Sequence, residues 1–188
     1  MKIYNTRKDM LYEFPVNGKI AELGVFKGDF SQQIIDICKP KHLVLIDAWF
    51  MFSTIMSGDE NGNNIEYHIA ETLYEKVVER FESNKSVEIY REFTSVIKTF
   101  EDNYFDAVYI DADHSYEAVK RDLENAYHKV KNGGIIAGHD YEFNMEKAQN
   151  TFPFGVKQAV DEFCQDYKLS ISAKAMDGCV SFLIKVQK

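Results

Sequence analysis

Residues 18–28, Gly-Lys-Ile-Ala-Glu-Leu-Gly-Val-Phe-Lys-Gly, decide the fold. The stretch 18–24 (GKIAELG) reads as a short buried strand that stops on Gly24, and a helical pattern begins at Asp29 with Phe30, Ile34, Ile37 and Cys38 spaced for one face. A strand that turns into a helix within five residues needs glycine at the turn. Gly24 permits the tight bend, and Gly28 permits close approach of a ligand to the helix start. Free backbone N–H groups there favour a polar or anionic group, and Glu22 is placed to accept hydrogen bonds from a ligand ammonium. Only Gly24 and Gly28 are present, so this is not the GxGxxG dinucleotide pattern.

The same alternation continues outward. Residues 43–46 (LVLI) form a second strand ending on Asp47, which follows Gly28 by 19 residues. An acid there commonly takes both hydroxyls of a ribose, and the order glycine turn, helix, strand, acid is the order of a nucleoside site. Residues 49–64 lack a clean period and read as a loop, and 65–82 as a helix carrying Ile69, Leu73, Val77 and Phe81. Strands are expected at 87–90, 105–110 and 135–138, with helices at 94–100, 115–130 and 156–167. Gly133 and Gly134 mark a helix stop. The tail, 169–173 and 179–186, alternates around Asp177-Gly178 and predicts a hairpin. The expected fold class is therefore α/β: a Rossmann-like, doubly wound, mostly parallel sheet with a C-terminal antiparallel hairpin. Ligands of such sheets sit at the carboxyl ends of the strands.

Composition narrows the function. The chain has 188 residues, enough for one domain (1–188), with 1–18 as an N-terminal extension and 49–82 as a loop and helix after the second strand. A net charge of −8 without a Lys/Arg cluster argues against nucleic acid as partner. No stretch is apolar enough for a membrane span, and the N-terminal MKIYNTRKDMLYEF lacks the apolar run of a secretion signal. Cys38, Cys164 and Cys179 form no CxxC pair, so reduced thiols and a cytoplasmic location are expected. A homo-oligomer is compatible with all of this.

The sequence resembles the class I S-adenosylmethionine-dependent methyltransferases, most closely the methyltransferase 24 type. The resemblance rests on IAELGVFKGDFSQQI (20–34), LVLIDAWF (43–50), FDAVYIDADHSYEAVKRDL (105–123), GGIIAGHDY (133–141) and FGVKQAVDEF (154–163). It implies a seven-stranded sheet, methionine contacts near Glu22, Gly24 and Gly28, ribose contacts from Asp47, and adenine near Phe93, Thr94 and Ser95. It extends to metal-dependent sugar and catechol O-methyltransferases, which hold magnesium at these strand ends.

The richest constellation is Asp111, Asp113, His114, His139 and Asp140. Asp111 closes one strand, and His139 and Asp140 close its neighbour, so three O/N donors converge on a site for a divalent cation, magnesium or manganese. The imidazole tilts the choice toward manganese, iron or zinc. Asp111 also serves the cofactor side. His114 suits a general base, with Asp113 as its rival and the capping of the next helix as the structural alternative for both. The aromatic run Trp49-Phe50-Met51-Phe52 is placed to cover adenosine or line the acceptor pocket, which the segments 49–64 and 141–154 would build. The function expected is O-methylation of a hydroxylated small molecule. A metal-dependent, hydroxylase-like enzyme and a non-catalytic nucleoside-binding module are the alternatives.

Overall fold

A computed structural model describes residues 1–49, 65–142 and 154–188, with side chains from Ala70 onward in the middle segment. Eight strands form one sheet: β1 (Lys2–Tyr4), β2 (Lys19–Leu23), β3 (His42–Ile46), β4 (Val87–Tyr90), β5 (Phe105–Ile110), β6 (Val130–Glu142), β7 (Ile171–Asp177) and β8 (Cys179–Lys185), ordered β1-β7-β8-β6-β5-β2-β3-β4. All neighbours run parallel except β8, which is antiparallel to both β6 and β7. The helices are α1 (Arg7–Met10), α2 (Asp29–Cys38), α3 (Ile65–Phe81), α4 (Tyr116–Lys129) and α5 (Val156–Asp166), with 3-10 turns at Leu11–Glu13 and Thr94–Thr99. No helix among the described residues is long and apolar enough to cross a membrane.

Two apolar layers follow from the predicted faces. Val119, Leu123 and Ala126 of α4 pack with Val156, Ala159, Val160 and Phe163 of α5 on one side of the sheet. Phe30, Ile34 and Cys38 of α2 pack with Val77 and Phe81 of α3 on the other. Every one of these side chains is buried, as a helix with one apolar stripe facing a sheet requires.

Among the described residues the sheet has eight strands, not seven. The extra strand, β1, lies inside the segment expected to be a bare extension and pairs with β7 in the register Lys2↔Ala173, Tyr4↔Ala175. Three residues carry too little alternation to announce a strand, and the pairing energy comes from the distant hairpin. Gly133 and Gly134 are the second departure. They do not stop α4, which ends at Lys129, but lie inside β6, where the register with β5 jumps from Phe105↔Val130 to Ala107↔Ile135.

β2 pairs with β3 on one side and β5 on the other. The chain leaves β2 in one direction and returns to its opposite side, so a crevice opens beyond the carboxyl ends of β2 and β5.

Candidate active site

At the mouth of this crevice the end of β2 is stitched to its neighbours. The Gly24 N–H donates to the Ile46 carbonyl at 2.8 Å, and the Asp111 N–H donates to the Leu23 carbonyl at 2.7 Å. Gly24 has φ +89°, and a Cβ there would lie 2.0 Å from the Asp111 carbonyl oxygen. No other residue fits between these two strand ends. Gly28, at φ +74°, also makes room for α3, because a Cβ on it would meet the Phe81 ring at 2.7 Å.

Asp47 sits at the end of β3, where the ribose acid was expected, and is already engaged. One carboxylate oxygen accepts the Val25 and Phe26 N–H groups at 2.8 and 2.9 Å, and the other accepts the Trp49 N–H at 2.6 Å. Asp47 thus satisfies two backbone donors of the turn that precedes α2. A carboxylate offers about four acceptor positions, so one remains beside the Trp49 contact. Trp49 closes the loop by donating its indole N–H to the Phe26 carbonyl at 2.9 Å. Phe26 and Trp49 hold φ +51° and +45°, a conformation that costs a non-glycine residue of order 1–3 kcal/mol and clusters at functional sites.

Glu22 is enclosed, at 1% exposure, with the Ser31 hydroxyl donating to it. Burial pushes its carboxyl up to about 8, so at neutral pH it is mostly the neutral acid. Beyond the end of β4, Phe93 is 67% exposed at the start of the 3-10 turn and Ser95 is exposed. The Thr94 hydroxyl donates to Asp122 at 2.7 Å. Asp122, on α4, is 1% exposed, and burial raises its carboxyl to about 6.

The acid–imidazole constellation assembles beyond β5 and within β6. The β6–β8 register breaks between Gly138 and Glu142, and Asp140 inside this irregularity holds φ +57° at 8% exposure. Such a bulge re-aims side chains, and here it places His139 and Asp140 against Asp111. The Asp140 Oδ2 lies 3.1 Å from the His139 Nδ1 and 3.1 Å from the His114 Nε2. The Asp111 Oδ1 lies 3.5 Å from that same His114 nitrogen and 3.9 Å from the His139 Nδ1. The His114 nitrogen is aligned for a hydrogen bond with neither acid. Burial alone would depress His114, but Asp111, Asp140 and Asp113 outweigh it and raise its pKa. Burial would raise Asp140, but His139 and His114 hold it below the usual carboxylate range. Asp113 is exposed, and its Oδ1 accepts the Ser115 N–H at 2.8 Å, the capping alternative.

One participant was missed. Arg7 of α1 places its Nη1 2.9 Å from the Asp111 Oδ2. It lies in a segment without apolar period, so no sequence signal reaches it. Phe50, Met51 and Phe52, and the acceptor-pocket segments 50–64 and 143–153, lie outside the described residues. Cys38, Cys164 and Cys179 are unpaired thiols.

Residues 21–141 match the family described as a methyltransferase domain, of the methyltransferase 24 type. That match spans more than half of the chain, which therefore belongs to this family of class I S-adenosylmethionine-dependent methyltransferases. No curated protein matches. Among solved structures, the chain is similar to an O-methyltransferase family protein from Burkholderia thailandensis (TM-score 0.63, 12% identity, 96% of this chain and 55% of that one). It is also similar to an rRNA methylase from Streptococcus thermophilus (0.62, 10%, 96% and 94%). A third is Aeropyrum pernix fibrillarin with natively bound S-adenosylmethionine (0.60, 10%, 90% and 67%). At such identities the likeness is one of fold, and the acceptors these names imply differ.

Proposed function

We propose that the protein transfers the methyl group of S-adenosylmethionine to a hydroxyl oxygen of a small molecule, with Asp111, His114, His139 and Asp140 as its chemical centre. The observation that carries this reading is Asp140, strained and buried, held between two imidazoles at 3.1 Å beside Asp111. The net charge of −8 favours an uncharged hydroxylated acceptor over RNA.

In this reading the turn from Gly24 to Gly28, with Glu22 beneath it, holds the methionine end of the cofactor. The remaining acceptor position of Asp47 takes a ribose hydroxyl, and Thr94 and Ser95 border the adenine. When bound, S-adenosylmethionine supplies an electrophilic methyl carbon on a positively charged sulfur. His114 removes the acceptor's hydroxyl proton. Its Nε2 faces two carboxylates that favour a proton there, so Nδ1 is the nitrogen left to act as base. The carboxylates around His114 favour its protonated form. A positive charge set against Asp111 and Asp140 cancels the field that raises its pKa. Asp113 is the alternative base.

The donor set fits a divalent cation. Ligand atoms of Asp111, His139 and Asp140 all lie within 4.8 Å of one another. A cation about 2.0–2.3 Å from each donor holds such atoms roughly 3–3.5 Å apart, so only small shifts are needed. A bound cation would supply Lewis acidity to an acceptor hydroxyl.

The test follows S-adenosylhomocysteine release over a panel of phenols and sugars, and over RNA, with magnesium or manganese and with chelator. Turnover on a hydroxylated compound is expected, with His114→Ala slower by about a hundredfold at unchanged S-adenosylhomocysteine affinity. Turnover on RNA alone, or a fully active His114→Ala enzyme, would overturn the reading.

A further inference from the structure

Arg7 is a half-buried cation at the centre of an acidic rim, and the function proposed above makes no use of it. Its side chain is 29% exposed, and that of its partner Asp111 is 24% exposed. The segment that carries it is fixed at several points. β1 pairs with β7, the Thr6 hydroxyl accepts the Asp9 N–H at 3.1 Å to cap α1, and the Arg7 N–H donates to Asp177 at the end of β7 at 2.9 Å. The guanidinium carbon lies 4.7 Å from the ring centre of Phe30, in the first turn of the helix that follows the glycine turn. Phe30 in turn packs on Tyr109 at 4.3 Å between ring centres, and the buried Tyr109 hydroxyl lies in the field of Arg7 and Asp111.

A guanidinium has five N–H donors in a planar fork. Among the described residues, Asp111 is the one carboxylate to which Arg7 donates, through Nη1, with the Tyr109 hydroxyl as a neutral neighbour. Desolvating an arginine for one such contact is a poor bargain in stability, so the spare donors point to an anion that arrives from outside. Arginine matches a carboxylate in particular, because two parallel N–H···O bonds fit its fork.

Asp111 divides its two oxygens. Oδ1 faces His114 and His139, while Oδ2 faces Arg7. The Arg7–Asp111 pair is thus a fixed plus–minus couple on the β2 side of the crevice. A ligand bearing an ammonium and a carboxylate on one carbon presents the reverse couple, and inserting it adds no net charge.

Resting on the cofactor reading, we infer that Arg7 binds the α-carboxylate of the methionine portion of S-adenosylmethionine, with Asp111 facing its ammonium. Arg7 is then a cofactor-binding residue contributed by the N-terminal segment.

Binding is measured by calorimetry and thermal shift with two probes, S-adenosylhomocysteine and 5′-methylthioadenosine, which lacks the amino-acid head. The proteins are wild type, Arg7→Ala and Arg7→Lys. Arg7→Ala is expected to weaken S-adenosylhomocysteine ten- to a hundredfold and to leave 5′-methylthioadenosine within twofold of wild type. Arg7→Lys, which keeps the charge but loses the fork, should fall between. Equal weakening of both probes in both variants would make Arg7 merely structural and overturn the inference. So would unchanged S-adenosylhomocysteine affinity. A wild type that binds neither probe removes the cofactor reading itself and is recognised before any variant is compared.

Discussion

Glu22→Gln is expected to stabilise this protein, and to do so only above a defined pH. Glu22 is 1% exposed, and burial raises its carboxyl from an ordinary 4.5 to about 8. In that window the folded state keeps a proton that the unfolded chain releases, so stability falls as pH rises from 4.5 and levels off above 8. Each pH unit between these limits corresponds to about 1.4 kcal/mol. The cost is about 3 kcal/mol at pH 7 and approaches about 5 kcal/mol above pH 8. That is a large share of a domain stability of about 5–15 kcal/mol. Glutamine has the shape of the neutral acid, its carbonyl can accept the Ser31 hydroxyl, and it does not ionise. Urea unfolding of both proteins at pH 4.5, 6, 7 and 8 should show no difference at the lowest pH and a growing advantage for the variant above it. The difference between the two curves isolates Glu22, because every other titrating group is shared. A gap independent of pH, or a variant less stable at pH 8, would show that Glu22 is ionised in the fold and refute the reasoning.

Asp122→Asn follows the same sign on a smaller scale. Its carboxyl is raised from 3.8 to about 6, so the variant should equal wild type near pH 4 and gain about 2 kcal/mol by pH 8 in the same assay, after allowing for the lost Arg121 contact at 3.7 Å. Gly24→Ala acts in the opposite direction. Its Cβ would stand 2.0 Å from a backbone oxygen at φ +89°, and a loss of at least about 3 kcal/mol is expected by denaturant unfolding, with a normal midpoint as the contrary result.

Most of the fold was legible because its strands are short apolar runs between helices with single apolar stripes. Residues 105–110 and 29–38 have the boundaries that periodicity predicts, and Phe105–Ile110 and Asp29–Cys38 are the observed elements. What escaped is pairing that depends on distant residues. β1 exists because β7 presents an edge to Lys2–Tyr4, and β7 lies about 170 positions away in the chain. The glycines at 133 and 134 resemble a helix stop, yet the stop is supplied by Val130, whose buried side chain and extended backbone (ψ 140°) already belong to the sheet. Local composition identifies a turn residue, but the register that uses it is a property of two strands.

The site was legible as a set of residue types at strand ends, because topology carries strand ends to one rim whatever the side chains do there. It was less legible in its hydrogen bonds. Asp47 was read as a free acceptor, but the glycine turn leaves the Val25 and Phe26 N–H groups unpaired, and the nearest strand-end carboxylate takes them. Glu22 was read as an acceptor for a ligand ammonium, and it lies one residue inside the strand, where alternation points it under the turn against Ser31. Both arrangements have one cause. A tight βα turn creates local donors and local burial at once, and the residues nearest to it satisfy the backbone before they meet any ligand. The acids left with uncommitted capacity are those farther along the rim. Asp111 and Asp140 are the pair that face imidazoles and Arg7 instead of backbone N–H groups. A strand-end acid bound to backbone N–H groups holds a turn in shape, whereas one balanced by mobile or titratable side chains can exchange them for a ligand. By that criterion Asp111 and Asp140, at the ends of β5 and β6, are the acids freer to exchange partners for a ligand, while Asp47 holds the turn and keeps one acceptor position beside it.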